Sequence, residues 1–507
     1  MTKPKVHFIG IGGIGTSALA RWFLSHNYNV SGSDASPSEI ISELKKQGIR
    51  VFIGHQAKNL PRGANLAIFS AAVPINNPER RQAAKLGIPA KSYAEAVGDL
   101  AKQYKTLAIA GAHGKSTTTA LLSLILIKAG FNPTVIIGTK LKEFGNSNFC
   151  NGRGDYLVLE ADEYSGSFLN YSPFAAIILN IDAEHLDYYK NLRVIKNAFL
   201  KFIKNIQSGG ILVLNKDDKN LSGLKNKIQK ISQNKNIKII WYSITNSGRS
   251  SMICYKIREI LKISGEHNVS NALAVYSLAK ALGIKNRDIF NAIGSYRGAW
   301  RRMEYRGELK FPISNFQFPI KVYDDYAHHP TEIKATLAGI AQKWPKTGLI
   351  CVFQPHQAKR LSLLFKAFIG AFDEANALVL LPVYQVAGRD ISDKVSQNRG
   401  CCNAQTGRRK TSQIFCNNKI VAKYLSKKLA EAIQKRINSK FKIDPPGILR
   451  KQNSKLREVV YLPSPKKLKQ ILNNLLITHN SKLKTIIVMM GAGDIYKLTD
   501  KLVRYKA

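Results

Sequence analysis

Short apolar runs alternate with longer segments of helical periodicity along most of the chain. Val6–Ile9 is a β-branched and aromatic run that ends in glycines, and a helical pattern follows it from Thr16 to Leu24. Further short runs, separated by helical or turn segments, lie at 30–34, 49–53 and 66–70. Strands that alternate with helices in this way predict a parallel sheet.

The alternation begins again twice, which predicts two more α/β domains. A strand over Thr106–Ala110 and a long helix over Ser116–Ala129 open the second pattern. The third starts at Lys321, with strands near 349–353, 377–381 and 485–490, and residues 309–320 before it resemble a loop or hairpin. We therefore expect domains at 1–104, 105–308 and 309–507.

The strongest chemical signal is a glycine-rich turn between the second domain's first strand and its helix. Its residues are Gly111, Ala112, His113, Gly114, Lys115, Ser116 and Thr117. Backbone N–H groups at such a helix start bind phosphates, the lysine adds positive charge, and the serine hydroxyl can ligate Mg²⁺. A chance Gly-Lys-Ser at a turn is the alternative, but the strand and helix on either side favour a phosphate-binding loop.

Two acidic clusters follow predicted strands of the same domain. Glu160–Glu163 comes after one strand, and Asn180–His185, which contains Asp182, comes after the next. Ligands of open α/β sheets collect at the carboxyl ends of strands, so these groups are candidates to complete a Mg²⁺ shell that Ser116 begins. Helix capping by Asp and Glu is the alternative for each residue taken singly.

The first domain carries a G-x-G-x-x-G sequence at Gly10–Gly15, after a strand and before a helix. Asp34 follows at the end of the next predicted strand, near the spacing of a ribose-binding acid. This pattern alone would suggest an NAD-dependent dehydrogenase. It indicates only that a diphosphate can bind at a helix start, and a tight turn that needs glycine is the structural alternative.

A last group of polar residues lies in the final third of the chain. It contains Arg301-Arg302, Asp324–Glu332, Gln354-Pro355-His356 and Arg360. Paired arginines can be a solvated face, and adjacent histidines before Thr331-Glu332 can be a capped helix start. Six of the ten histidines lie beside the motifs described so far, which favours a functional site.

Composition adds one unusual feature, a net charge of +44 over 507 residues, from 77 Lys and Arg against 33 Asp and Glu. Residues 394–457 hold 17 of those basic residues and two acidic ones, so we expect a basic insertion there. The charge raises the hypothesis of a nucleic-acid-binding ATPase, but no aromatic-interleaved basic stripe accompanies it. Six cysteines without a CxxC pair and no apolar run of 18 residues predict a cytoplasmic protein without a membrane span.

Taken in order, these motifs resemble the Mur ligase family. The residues that carry the resemblance are His7–Gly15, Gly111–Thr119, Glu160–Tyr164, His267-Asn268, Asn271-Ala272, Asp324–Glu332 and Gln354-Pro355-His356. The resemblance covers nearly the whole chain outside the basic segment. It implies an α/β fold of three domains: a Rossmann-like N-terminal domain for a UDP-sugar, a central P-loop ATPase domain, and a C-terminal Rossmann-like domain for the amino acid.

The resemblance also implies roles for individual residues. On the UDP-sugar it places Gly12, Gly13, Gly15, Asp34, His55 and Ser70. On ATP it places the phosphate loop at 111–117 with Asn268 and Asn271, and on Mg²⁺ it places Ser116, Glu160 and His185. Facing the lactyl carboxylate and the amino acid it places Arg302, His329, His356 and Arg360. The implied catalytic residues are Lys115, Glu160, His185, Arg302 and His329.

The activity that the resemblance implies is ATP-dependent addition of L-alanine to UDP-N-acetylmuramate for peptidoglycan precursor synthesis. The lactyl carboxylate would attack the γ-phosphate of ATP, and the alanine amine would then displace phosphate from the acyl phosphate. A recycling ligase that joins a preformed murein peptide to the same UDP-sugar is the nearest alternative. We expect a monomer or weak homodimer that needs no nucleic acid.

Overall fold

The computed structural model describes residues 3–245, 249–309, 318–384, 418–439, 454–478 and 484–504. The chain forms two compact units, Met1–Trp300 and Arg301–Ala507. The first unit contains the first two predicted domains. The second begins before the expected boundary at 309, because strand Glu304–Leu309 pairs antiparallel with Lys321–Asp325 in the C-terminal sheet.

The N-terminal domain is a five-stranded parallel sheet in the order β3-β2-β1-β4-β5. Val6 of the central strand is paired with Val30 on one side and with Leu66 on the other, so this strand is hydrogen-bonded along both edges and buried. The strands are β1 (Lys5–Ile9), β2 (Asn29–Asp34), β3 (Arg50–Ile53), β4 (Leu66–Phe69) and β5 (Ala90–Ser92). The helices are α1 (Ile14–Ser25), α2 (Glu39–Lys46), α3 (Pro78–Lys85) and α4 (Tyr93–Ala101).

The central domain has a seven-stranded sheet in the order β12-β11-β10-β6-β9-β7-β8, and only the edge strand β8 runs antiparallel to its neighbour. The strands are β6 (Lys105–Ala110), β7 (Thr134–Leu141), β8 (Ser147–Cys150), β9 (Tyr156–Ala161), β10 (Ala175–Ile178), β11 (Ile211–Asn215) and β12 (Lys238–Tyr242). The helices are α5 (Lys115–Lys128), α6 (Leu186–Tyr189), α7 (Leu192–Lys204), α8 (Lys219–Ser222), α9 (Lys225–Lys235), α10 (Arg249–Ile260), α11 (Glu266–Ala281) and α12 (Asn286–Ser295). Helix α5 is buried around most of its circumference, which explains why its apolar residues are not confined to one face.

The C-terminal unit has a seven-stranded sheet in the order β17-β16-β15-β18-β14-β13-β19. Its strands are β13 (Glu304–Leu309), β14 (Lys321–Asp325), β15 (Gly348–Phe353), β16 (Ala377–Leu380), β17 (Glu458–Tyr461), β18 (Thr485–Met490) and β19 (Val503–Arg504). Its helices are α13 (Pro330–Lys343), α14 (Ala358–Leu363), α15 (Phe365–Ile369), α16 (Asn418–Ser439), α17 (Leu468–Thr478) and α18 (Ile495–Leu502). Strands β17, β16, β15, β18 and β14 run parallel, which places the ends of β14, β15 and β18 side by side.

The structure describes part of the segment 394–457, for which we expect a basic insertion. Helix α16 lies inside that range, and its Leu429 and Ile433 are fully buried in the core of the C-terminal unit. Arg436 on the same helix makes paired hydrogen bonds of 2.8 Å to Asp373. Lysines on the exposed face dominate the composition of this helix, so the apolar face is hard to identify from the sequence. Residues 394–417 and 440–453 lie outside the described part of the chain.

A polar interface joins the first two domains within unit one. The Lys140 ammonium is buried and donates to Glu39 at 2.8 Å and to Glu43 at 2.7 Å, both on helix α2. Arg21 of α1 donates to Asn148 of β8 at 2.6 Å and to Glu43 at 3.2 Å. These contacts tie the helices beside the glycine-rich turn to the edge of the central sheet.

Within the ranges listed above, no helix combines the length and the apolar character that crossing a membrane requires.

Candidate active site

The phosphate-loop sequence forms the turn from β6 into α5. Gly114 is the N-cap of α5 and has a left-handed φ of +86°. A Cβ at this position would lie 2.7 Å from Oδ1 of Asn271, so the turn has room only for glycine. The structure therefore brings Asn271 of α11 against the loop. Asn268, one turn earlier on the same helix, donates instead to the Ser264 carbonyl at 2.7 Å.

Lys115 is held by the loop and by an acidic residue whose role the sequence analysis did not assign. Its ammonium donates to the Gly111 carbonyl at 2.7 Å and to the buried Glu163 carboxylate at 2.8 Å. Asp162 is a further 3.7 Å ion-pair partner. Burial opposes the charge on Lys115, but Glu163 and Asp162 outweigh it and raise its pKa above the usual range. The sequence signal for this contact was the position of Glu163, three residues after Glu160 at the end of a strand.

Ser116 and Glu160 meet at the start of α5. The Ser116 hydroxyl donates to Oε2 of Glu160 at 3.2 Å, while Oε1 of that carboxylate accepts the Gly138 N–H at 2.6 Å. A hydroxyl and a carboxylate oxygen at this separation form a hard oxygen donor set of the kind that Mg²⁺ prefers. These two predicted ligands therefore fit the ion.

His185 belongs to a neighbouring cluster. Ligand atoms of His185, Asp162 and Glu163 all lie within 4.8 Å of one another. Nε2 of His185 is 3.6 Å from Oε1 of Glu163, and the Tyr189 hydroxyl donates to the Glu163 carbonyl. The structure thus places His185 on the side of Lys115, which keeps it a candidate ligand of a second cation near the phosphates.

Asn180 braces the phosphate loop from the next strand. Its Oδ1 accepts the His113 N–H at 2.9 Å, and its Nδ2 donates to the His113 carbonyl at 3.0 Å. The His113 ring nitrogen Nε2 lies 2.9 Å from Asp182. Both partners belong to the second acidic cluster, so part of that cluster shapes the loop.

The glycine-rich turn of the N-terminal domain lies between β1 and α1. Gly13 is the N-cap of α1 and has no side chain to occupy the first N–H groups of the helix. The Gly12 N–H donates to Asp34 at 2.8 Å, so the predicted ribose-side acid is fixed at the turn. Ser70, which was also predicted to contact the UDP-sugar, lies against Gly10 of the same turn. The geometry suits a diphosphate at the helix start.

His55 lies in a buried polar cluster that the sequence analysis did not foresee. Its Nδ1 is 2.9 Å from the Ser33 hydroxyl and 3.2 Å from Oε1 of Glu79. The other oxygen of Glu79 lies 2.8 Å from Nε2 of His7 and accepts from Ser33 at 2.7 Å. Burial acts against the ionised form, but hydrogen bonds from His7, Ser33 and Asn59 lower the pKa of Glu79. Glu79 is distant in sequence from both histidines, so no local pattern pointed to it.

In the C-terminal unit the adjacent residues Arg301 and Arg302 have different burial and different contacts. Arg301 is buried and donates to the carbonyls of Gly491 and Gly493, and it lies 3.8 Å from the buried Asp324. Burial raises the pKa of Asp324 to about 7 despite that arginine. Arg302, in contrast, is partly exposed and approaches Glu332 at 4.0 Å. Arg301 therefore supports the strand ends, and the role of Arg302 toward the lactyl carboxylate and the amino acid stays a prediction.

The histidines of this unit also differ in their contacts. His329 is the N-cap of α13, where its Nδ1 accepts the Thr331 N–H at 3.3 Å, so the capped helix start considered above is present. No individual role was predicted for His328, whose ring packs edge-on against that of His356 with 5.7 Å between the ring centres. Arg360 Nη1 lies 3.3 Å from Nδ1 of His356. Arg302, His328, His356 and Arg360 thus gather at the carboxyl ends of β14 and β15.

Three family models match the chain in order. The Mur ligase family catalytic domain covers residues 5–105, the Mur ligase middle domain covers 109–279, and the Mur ligase glutamate ligase domain covers 301–438. The third match extends over helix α16, consistent with its place in the C-terminal core. A UDP-N-acetylmuramate–L-alanine ligase of Clostridium kluyveri is 40% identical over 409 residues, or 77% of this chain and 86% of that protein. A ligase of the same name from Clostridium botulinum is 40% identical over 76% and 85% of the two chains.

Solved structures share the fold. A UDP-N-acetylmuramate–alanine ligase from Thermotoga maritima superimposes with a TM-score of 0.69 at 24% identity, over 98% of this chain and 97% of that one. A murein peptide ligase from Psychrobacter arcticus gives 0.60 at 19% identity, over 99% and 100%. The predicted three-domain α/β architecture is confirmed. With its domains matched in order and 40% identity over most of its length, the chain belongs to the Mur ligase family.

Proposed function

We propose that this chain joins L-alanine to the lactyl carboxylate of UDP-N-acetylmuramate, with ATP converted to ADP and phosphate. The observation that carries the proposal is the phosphate loop at the start of α5, where Lys115 and the Ser116–Glu160 pair lie at neighbouring strand ends. The 40% identity to ligases of this name gives the substrate pair its support.

The residues of unit one would bind and activate the carboxylate. The N-terminus of α1, with Gly12 fixed to Asp34, takes the diphosphate of the UDP-sugar, and Lys115 takes the β- and γ-phosphates of ATP. Ser116 and Glu160 would hold Mg²⁺, which neutralises charge on the transferred phosphoryl group. Attack by the lactyl carboxylate on the γ-phosphorus breaks the bond to ADP and gives an acyl phosphate.

The residues of the C-terminal unit would bind the amino acid. Arg302 and Arg360 supply positive charge for its carboxylate, and the His328–His356 pair borders the same strand ends. Attack of the amine on the acyl carbon gives a tetrahedral intermediate, from which phosphate leaves and the amide remains. Arginines fit this task because a planar guanidinium binds a carboxylate through two hydrogen bonds.

The proposal is tested by following phosphate release with ATP, Mg²⁺, UDP-N-acetylmuramate and an amino-acid panel of alanine, glycine and serine. We expect release that requires the UDP-sugar and is fastest with L-alanine. A murein peptide replaces the amino acid in a parallel assay, and a preference for it would identify a recycling ligase. Release that responds to DNA or RNA, or reduction of NAD, would contradict the ligase proposal.

A further inference from the structure

Tyr93 lies between the two substrate-binding regions of unit one, and no role has been assigned to it. It is the first residue of α4 and directly follows the N-cap Ser92. Ser92 accepts the Glu95 N–H at 3.2 Å, and Glu95 accepts the Ser92 N–H at 2.7 Å. This reciprocal capping box fixes the backbone from which the Tyr93 side chain projects.

The ring of Tyr93 covers the first turn of α1. A Cβ on Gly15 would lie 2.8 Å from both Cζ and Oη of Tyr93. Glycine at position 15 is therefore needed for the phenol to reach the helix backbone. This contact places the hydroxyl beside the N–H groups that are expected to bind the diphosphate.

The phenol also lies within the electrostatic reach of the ATP side of the site. Burial, followed by the negative charges of Glu160 and Asp162, raises the pKa of Tyr93 well above its usual range. A phenol is protonated at neutral pH even at its ordinary pKa, so the hydroxyl can donate a hydrogen bond to an anion. A neutral donor is suited to a position between an anionic diphosphate and the carboxylates at the end of β9, because it adds no charge there.

We propose that the Tyr93 hydroxyl donates a hydrogen bond to a diphosphate oxygen of the UDP-sugar. This inference rests on the proposed function, since it assumes the UDP-sugar at the α1 N-terminus. It makes Tyr93 a substrate-binding residue that anchors the sugar nucleotide on the side facing Glu160. Anchoring the nucleotide end of the UDP-sugar would then hold its lactyl carboxylate in place while that carboxylate attacks ATP.

The test compares UDP binding to the full chain and to Tyr93→Phe by titration calorimetry. Phenylalanine keeps the ring over Gly15 and removes only the hydroxyl. We expect the Kd for UDP to rise by about tenfold, the loss of one hydrogen bond to a charged group, with ATP affinity unchanged. Tyr28→Phe is the matched control, because Tyr28 is a half-buried phenol of the same domain that packs edge-on against Phe23.

The outcomes separate the inference from the proposed function. Unchanged UDP affinity in Tyr93→Phe would overturn the role of Tyr93, and so would a loss confined to UDP-N-acetylmuramate, which would point to the lactyl carboxylate instead. An equal loss in Tyr28→Phe would also overturn it. Failure of the unmodified chain to bind UDP would overturn both proposals. A Tyr93→Phe variant that binds UDP weakly but melts at the unmodified temperature supports a direct contact rather than a structural one.

Discussion

Lys115 is the residue on which the proposed chemistry depends most. Its side chain is 14% exposed, and within unit one it contacts the loop carbonyl of Gly111 and the carboxylate of Glu163. We predict that Lys115→Ala lowers kcat by at least about a thousandfold, because it removes a preorganised positive charge from the transferred phosphoryl group. UDP binding should persist, since the α1 N-terminus is unchanged. Calorimetry with UDP and phosphate-release kinetics measure the two effects, and activity near the unmodified level would show that the phosphate loop has been misidentified.

Glu79 should make stability depend on pH. Hydrogen bonds lower its pKa from the usual 4.5, so its contribution to folding is complete above pH 4.5 and is lost as pH falls through the lower folded value. We predict that Glu79→Gln lowers the free energy of unfolding by about 2–4 kcal/mol at pH 7, because it breaks a buried charged network. Urea unfolding at several pH values measures this difference.

The difference between Glu79→Gln and the unmodified chain should shrink below pH 4.5. Glu143→Gln, at an exposed position, is the control and should be nearly neutral throughout. A Glu79→Gln effect that stays constant down to pH 3 would contradict the assigned pKa direction.

Among single residues, the sequence predicted those whose positions depend on the local succession of strand, loop and helix. Ser116 and Glu160 were predicted because a loop between strand and helix, and a strand end, fix where such side chains point. Glu163 and His328 each stand beside a predicted residue, and their roles depend on which way the chain turns after the strand. Glu79 meets His7 across 72 positions of sequence, and only the tertiary structure brings them together.

Among the elements, the β7–α2 interface makes Lys140 important for stability. Its ammonium is 6% exposed and pairs with Glu39 and Glu43, and it lies 5.0 Å from the Trp300 ring centre. We predict that Lys140→Met lowers the free energy of unfolding of unit one by about 1–3 kcal/mol, since two carboxylates lose a partner. Urea unfolding followed by tryptophan fluorescence measures it. Lys142→Met, two residues away and exposed, should be nearly neutral, and equal effects would show that the ion pairs add nothing.

Helix α16 provides a test of the packing in the C-terminal core. We predict that Ile433→Ala lowers the free energy of unfolding of the C-terminal unit by about 2–5 kcal/mol, because it leaves a cavity at a fully buried position. Lys427→Ala on the exposed face of the same helix is the control. Calorimetric melting separates the two variants, and a neutral Ile433→Ala would mean that the helix does not pack as described.

Elements with strong local periodicity were predicted within a few residues, as for α5 over Lys115–Lys128 and β15 over Gly348–Phe353. The exceptions share a physical cause. The edge strand β8 and the antiparallel strand β13 both carry polar residues, so neither alternation nor an apolar run identifies them. In α16 the high content of lysine hid the buried Leu429 and Ile433.

For the whole molecule the net charge of +44 should affect substrate capture. A positive field speeds association of polyanions and is screened by salt. We predict that KM for UDP-N-acetylmuramate rises several-fold between about 50 and 300 mM NaCl while kcat changes by less than twofold, because the reacting groups are buried or paired. Steady-state kinetics at several salt concentrations measure both constants. A fall in kcat with unchanged KM would place the effect of salt in the site itself.

The pairing of Lys115 with Glu163 has a consequence for the catalytic cycle. Because the ammonium is paired with a carboxylate of its own chain, the loop does not carry the several kcal/mol cost of an unpaired buried charge. If Lys115 binds ATP as proposed, nucleotide binding would exchange one anion for another at this ammonium. When ADP leaves, Glu163 would replace the lost phosphate contact. Such an exchange would keep the spent nucleotide from being held too tightly and so favour rapid turnover.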